Sequence, residues 1–418
     1  MNRRTALINL LATTALWAAV AVPLQADAPP HPSAAAREAV DKVLSDAVAR
    51  HDAPGVVGLV VDRKGVLFEG AAGKLDVGHG VPLTGDAIFN IASMTKPITS
   101  VAIMILREQG KLQLDDPVSK YLSGFDDLKV ITRFNPADGS YETRPAKRTI
   151  TLRHLLTHTS GIGYGFSSAI VARLQQGSHK SEWELPLLHD PGTQWTYGAS
   201  TRVLGLIVEK ISGETLEAFD QEHILGPLGM VDTSYAVPAQ KQARIITTQR
   251  RVDGQLQEQP RGNVPVTPTA PFGGDGGLYS TAQDYGRFIR MLLNGGRLGN
   301  VRILSAQSVA LMSRNQIGAV FVSQQPAANP ALTRPFPLGA GRDKFGLGFE
   351  ITGPGADGRS RSPGSLAWAG IFNTEFWVDP KAGIGAVLLM QYLPFYDEGA
   401  IRTLRDYEAA VYGQLLAP

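Results

Sequence analysis

Cysteine is absent from the 418-residue chain. Its absence excludes a disulfide framework, a thiol nucleophile and thiolate metal sites. A charge of one sign is also lacking. The 40 Lys and Arg residues against 38 Asp and Glu leave a formal net charge of +2, so no electrostatic signal points to nucleic acid or to an anionic membrane. No internal repeat is present, and long apolar runs are missing except for one at the start. There Asn2-Arg3-Arg4 precedes an Ala/Leu-rich stretch from Ala6 to Val22, followed by Pro23-Leu24-Gln25-Ala26-Asp27-Ala28. A basic start, a short apolar run and small residues near a plausible cut predict a secretory signal peptide over residues 1–28. The run is marginal against the ~20 residues of a membrane span, and no basic stop-transfer flank follows it. With no Cys after the run, a lipoprotein is excluded. The expectation is an exported protein, periplasmic or secreted, without stable membrane insertion once the signal is removed.

What is present is a chain 43% hydrophobic, ample for a large core. The spacing of Ala39, Val40, Val43, Leu44 and Ala47 predicts an amphipathic helix over 34–50. Gly55 to Val61 and Val66 to Gly70 flank the turn signal Asp62-Arg63-Lys64-Gly65, an antiparallel hairpin. Ser200 reads as the cap of a helix that Gly213 ends, and Thr281-Ala282-Gln283-Asp284 as a capping box. The tail returns to strands at Phe345–Ile351, Thr374–Val378 and Gly385–Met390, then a final helix over 401–415. Residues 131–149, 236–275 and 324–338 read as a turn-rich hairpin or surface decoration, a long irregular segment and a Pro-rich loop. Strands at both ends with helices between them give an α/β fold: an antiparallel sheet flanked by N- and C-terminal helices, with a mainly helical lobe inserted. The expected organisation is one domain over 35–418, its α/β lobe formed by 35–90 plus 340–418 and its helical lobe by 91–339.

The stretch Ile91-Ala92-Ser93-Met94-Thr95-Lys96 carries the chemistry. Ile98, Val101, Ala102, Ile105 and Leu106 recur at helical spacing behind it, and Gly110 closes the run. Side chains three apart on a helix share a face, so Ser93 and Lys96 can touch. The helix start also aims its positive dipole end at Ser93, which suits an oxygen nucleophile. A capping Ser and a solvated Lys would show the same four letters. A serine nucleophile needs a proton acceptor, and a Lys ammonium is a poor base unless burial or a neighbouring cation lowers its pKa. A further proton-sharing group is therefore expected. Tyr197, in Gln194-Trp195-Thr196-Tyr197-Gly198-Ala199-Ser200, is the candidate; the alternative is a half-buried structural Tyr.

Ser93-Met94-Thr95-Lys96, Leu155-Leu156-Thr157-His158-Thr159-Ser160-Gly161, Tyr197, Phe272-Gly273-Gly274-Asp275-Gly276-Gly277-Leu278, Trp368-Ala369-Gly370 and Phe376-Trp377-Val378-Asp379-Pro380-Lys381-Ala382-Gly383 occur in this order. Together they resemble the serine β-lactamase-related superfamily: class C β-lactamases, penicillin-binding DD-peptidases and, most of all, family VIII carboxylesterases. The resemblance runs from about residue 35 to 415. It implies the β-lactamase/transpeptidase-like fold, with Ser93 as acylated nucleophile and Lys96 and Tyr197 as the proton relay; which of the two is the formal base stays open. It also implies an oxyanion hole from the backbone N–H groups of Ser93 and Ile371, with Trp368, Ala369, Gly370 and Ala199 at the substrate. No metal or other cofactor is expected.

Two departures bear on substrate. β-Lactamases and DD-peptidases usually carry Lys-Thr-Gly in the third motif, whose Lys helps to hold a substrate carboxylate; here Trp368 has no charge. They carry Asn two residues after the Tyr; here Ala199 removes that amide. Both losses favour a neutral ester. The expected function is cleavage of short-chain carboxylic esters. Alternatives are a β-lactamase, a D-amino-acid or small-amide hydrolase, or a penicillin-binding-like receptor that acylates without turnover. Other constellations fail. A Gly-x-Ser-x-Gly elbow is missing, against an α/β-hydrolase. His154 and His158 lack the Glu of a His-Glu-x-x-His zinc site. Glu182-Trp183-Glu184-Leu185 precedes Tyr197, the wrong order for a class A deacylation loop. Gly273 to Gly277 has no following Lys-Ser/Thr and reads as close backbone approach rather than a phosphate loop.

Overall fold

Alternation along Gly55–Asp62 (β1) explains the architecture. Every residue of this strand is buried, so its two side-chain faces must serve two cores. Val57, Leu59 and Val61 join one of them, and Val56 and Val60 the other. The computed structural model describes residues 32–260, 262–355 and 358–416; the expected signal peptide lies outside them. The sheet continues through Val66–Asp76 (β2) and Val81–Pro82 (β3), then, far along the chain, Lys344–Phe345 (β4), Glu350–Ile351 (β5), Leu366–Gly370 (β6), Thr374–Asp379 (β7) and Ile384–Leu389 (β8). Its eight strands run in the order β4-β5-β6-β7-β8-β1-β2-β3, every pair antiparallel. The two ends of the chain meet where β1 pairs β8, Val57 opposite Leu389.

Ala34–Ala49 (α1) packs on the face that carries Val56 and Val60. The opposite core takes Thr95–Glu108 (α2), Leu152–Leu156 (α3), Ser200–Ser212 (α4) and Ala282–Leu293 (α5). The last helix, Glu398–Ala410 (α6), joins α1 through Leu404 and Tyr407. This is the β-lactamase/transpeptidase-like arrangement of helices around an antiparallel sheet. Among the described residues no helix is long and apolar enough to cross a membrane.

Several local expectations change. Phe345–Ile351 is not one strand but the hairpin β4–β5, folded back at Gly348, whose φ of +92° suits only glycine without strain. Ser200 is the first helical residue and not the cap; its hydroxyl instead meets that of Ser160 at 2.8 Å. Thr281 does cap α5 by accepting from the Asp284 N–H at 3.2 Å, but the Asp284 carboxylate accepts from the Asp232 N–H at 2.7 Å. The segment 236–275 contains a short 3₁₀ turn, Ala239–Arg244, and a hairpin, Gln249–Val252 with Gln255–Glu258. Lys129–Phe134 and Tyr141–Pro145 form a second hairpin.

Candidate active site

Ser93 sits on a single 3₁₀ turn, Ala92–Met94, that feeds directly into α2. The turn is pinned on both sides. The Ala92 N–H donates to Asn90 Oδ1 at 3.0 Å, the Ile91 N–H to the Leu278 carbonyl at 3.0 Å, and the Tyr285 hydroxyl to the Met94 carbonyl at 2.9 Å. Ala92 has φ +43°, a costly conformation for a residue with a Cβ. Strain held by this many contacts keeps the serine in one position.

From there the helical spacing operates as expected. Lys96 donates to Ser93 Oγ at 2.9 Å and to the Asp275 carbonyl oxygen at 2.7 Å. Tyr197 donates to Ser93 Oγ at 2.7 Å. The Lys96 nitrogen also lies 4.8 Å from the centre of the Tyr197 ring. Burial, opposed by the Asp275 carboxylate and aided by Arg202, lowers the Lys96 pKa to about 7. The same burial pushes the Tyr197 phenol well above its ordinary value, with the Ser93 hydrogen bond pulling the other way. A neutral lysine amine is therefore available at neutral pH, and the phenol remains protonated. One hydroxyl thus faces a ready proton acceptor and a proton donor.

Tyr197 is positioned by the Leu-Leu-Thr-His-Thr-Ser-Gly segment. The Thr196 N–H donates to the His158 carbonyl at 2.9 Å. A Cβ at Gly198 would stand 1.9 Å from the Ile162 carbonyl oxygen, so only glycine lets the two loops close. His158 is buried, with its ring 5.0 Å from that of Tyr197 and stacked 6.0 Å from that of Trp368. Burial, helped by the nearby Lys96, drives its pKa well below the usual histidine range. His154 is tied into the α3 cap, its Nδ1 accepting from the Thr151 N–H at 3.1 Å.

The third motif closes the site by contact. A Cβ at Gly370 would stand 2.4 Å from the Ile91 carbonyl oxygen, so β6 presses directly on the turn that carries Ser93. Ser93, Trp368, Ala369 and Ile371 line one cavity of about 220 Å³, with Tyr164, Phe166, Phe336 and Tyr396 among its aromatic walls. Ala199, expected at the substrate, is buried in the core at the start of α4 and is not among the cavity-lining residues. Gly370 is likewise outside that lining and packs against the Ile91 carbonyl.

Sequence reasoning missed the support behind Lys96. Asp275 holds Arg202, whose Nε donates to Oδ1 at 2.7 Å, and the Tyr164 hydroxyl donates to its other oxygen. The only sequence signal was the glycine cluster around Asp275. Gly274 packs so tightly on α4 that a Cβ would stand 2.7 Å from the Thr201 carbonyl oxygen. The predicted close backbone approach is thus the means by which the Asp275 carbonyl reaches Lys96.

The arrangement of α/β fold and serine–lysine–tyrosine site defines a class of acyl-transferring serine enzymes. The Beta-lactamase family model matches residues 40–410, and the chain belongs to that family. It is 38% identical over 356 residues to Protein Rv1367c of Mycobacterium tuberculosis, covering 81% of this chain and 86% of that one. Monacolin J acid methylbutanoyltransferase of Aspergillus terreus is 30% identical over 80% of this chain and 84% of its own. Esterase EstB of Burkholderia gladioli is 28% identical over 84% and 89%. The solved structure of unliganded simvastatin synthase (LovD) from Aspergillus terreus superposes with a TM-score of 0.74 at 27% identity, covering 91% of this chain and 99% of that one.

Proposed function

We propose that this member of the serine hydrolase and acyltransferase superfamily cleaves short-chain carboxylic esters through an acyl-enzyme on Ser93. One observation carries the reading: Lys96 and Tyr197 converge on Ser93 Oγ at 2.9 and 2.7 Å inside an aromatic cavity. Ser93 Oγ attacks the ester carbonyl and its proton passes to Lys96. Ser93 and Ile371 both line the cavity, as their assigned role in holding the oxyanion requires. The tetrahedral intermediate expels the alcohol, which takes a proton from Tyr197, with Lys96 restoring it. Water then attacks the acyl-enzyme, the proton route runs in reverse, and the carboxylic acid leaves. Trp368 in place of a cation favours a neutral substrate over an anionic β-lactam or peptide. An exported location, by the leader over residues 1–28, is part of this proposal.

A second reading has its own support. The similarity to Monacolin J acid methylbutanoyltransferase favours an acyl-enzyme resolved by an alcohol instead of water. A single assay separates the readings. Purified protein is given a short-chain aryl ester with and without an added alcohol, and separately a chromogenic cephalosporin, with Ser93→Ala as control. Ester turnover to acid, with little cephalosporin cleavage and a loss of about a thousandfold or more in Ser93→Ala, is the expected result. Transfer of most acyl groups to the alcohol would make it an acyltransferase, and dominant cephalosporin cleavage a β-lactamase. One equivalent of product followed by arrest would make it a receptor.

A further inference from the structure

The cavity that begins at Ser93 does not end in an apolar wall. Its lining includes Glu350, Arg359, Arg361 and Glu375, drawn from β5, β7 and the segment before β6. Alternation along the sheet explains how they reach it. Trp368 and Phe376 face the core on the Ser93 side, so Glu375, next to Phe376 and opposite Ala369, projects from the other face, where Leu404 of α6 also lines the cavity.

The two arginines are committed. Arg359 holds Asp343 through bonds of 2.6 and 2.9 Å, and Arg361 holds Glu408 with its Nε at 2.9 Å from Oε1. The two acids are not matched in this way. Glu350 is 7% exposed; its side chain shares a hydrogen bond with Asp343, and its Oε1 has no hydrogen-bond partner among the described residues. Glu375 is 8% exposed. The influences on it are burial first, then the charges of Arg361 and Glu408, with no hydrogen bond among them.

We propose that this inner end of the cavity is a binding subsite in which the carboxyl groups of Glu375 and Glu350 take a hydroxyl group on the tail of the substrate, remote from the scissile carbonyl. The proposal rests on the ester-cleaving reading and names the substrate class for it. Burial holds Glu375 up to about 8 and, with the Asp343 charge beside it, Glu350 well above the carboxylate range. At neutral pH Glu375 is mainly a neutral acid that both donates and accepts a hydrogen bond, as a hydroxyl does, and the shift at Glu350 favours the same form. An anionic tail would find both guanidinium groups already paired. A cationic one would find Glu375 mainly neutral in place of a counter-ion. Phe336, Phe395 and Leu404 line the approach, which suits an alkyl chain capped by a hydroxyl.

The test uses matched pairs at pH 7: aryl esters of ω-hydroxy acids against methyl-terminated acids of equal length, and acetate monoesters of diols against acetates of the corresponding alkanols. The wild-type protein should favour the hydroxylated member by at least about fivefold in kcat/KM in one of the series, and Glu375→Leu should lose or reverse that preference. The ratio is read within each variant, so a general loss of activity cancels. Glu375→Gln, which keeps a donor and an acceptor, should retain part of the preference and guards against misfolding of the leucine variant. An absent preference in both series, its persistence in Glu375→Leu, or a stronger preference for an ω-ammonium ester overturns the proposal. Were no ester turned over, the ester-cleaving reading would fail by itself. Equilibrium binding of the same diol and alkanol esters to Ser93→Ala would then still decide the subsite by the same ratio.

Discussion

Lys96 and Arg361 are both buried cations lining or bordering the same cavity, and they have opposite surroundings. Arg361 lies against a carboxylate, with its Nε and the Ser360 and Arg361 N–H groups all directed at Glu408 Oε1 at 2.7 to 3.0 Å. Burial pulls its pKa down, and the charge and hydrogen bond of Glu408 more than restore it, so it ends above its ordinary value. Lys96 receives two uncharged acceptors, a hydroxyl and a carbonyl, and falls to about 7. A buried cation with a counter-ion is locked in its charged state and serves the fold. One denied a counter-ion at contact distance is free to give up its proton, and that is the state a base needs.

The contrast predicts a double dissociation. Lys96→Met should lower ester turnover by about a thousandfold, within the range for a general base. Its melting temperature should stay at or above that of the wild type, because a buried amine whose charged form has no counter-ion at contact distance has been replaced by an apolar side chain. Arg361→Met should do the reverse to the fold: with Glu408 left uncompensated in the interior, stability should drop by about 3–5 kcal/mol, read by chemical denaturation. If Lys96→Met unfolded the protein and Arg361→Met did not, the comparison would collapse.

A smaller effect sharpens it. The Asp275 carboxylate raises the Lys96 pKa, so Asp275→Asn removes an upward influence and leaves the downward one of Arg202 in place. The acid limb of the pH–rate profile should then move to lower pH, while the Asp275 carbonyl that accepts from Lys96 is retained. A move to higher pH would mean that the charge of Asp275 does not act on Lys96.

How much of this could be read from the letters depends on what holds each group in place. Ser93 and Lys96 were legible because three residues along a chain entering a helix bring them to one face. Tyr197 lies 104 positions away from Ser93 and was legible only through the order of motifs around it. The antiparallel sheet shared by both ends of the chain followed from the apolar runs of β1, β7 and β8 and the turn signal between β1 and β2. The Asp275 contact to Lys96 is made by a backbone oxygen, which no side-chain letter announces, although the glycines beside it signalled close approach. Glu350 and Glu375 escaped notice because they come together across β5 and β7 with no local pattern. Ala199 was expected at the substrate from its place in the motif, and its burial at the start of α4 has no local signal in the letters. Acyl transfer to an alcohol, raised by the similarity to a methylbutanoyltransferase, has no separate mark in the catalytic residues, since both reactions share the same acyl-enzyme.

The central claim is that Lys96, with a pKa of about 7, supplies a neutral amine at neutral pH that takes the Ser93 proton. Its most direct test is the pH dependence, from pH 5 to 9, of the single-turnover rate of Ser93 acylation by an aryl ester. Below its pKa Lys96 is protonated and cannot accept a proton, so the rate should climb with pH and level off as the pH passes about 7. A rate flat across that range, or still climbing at its upper end as for an ordinary lysine, would contradict it.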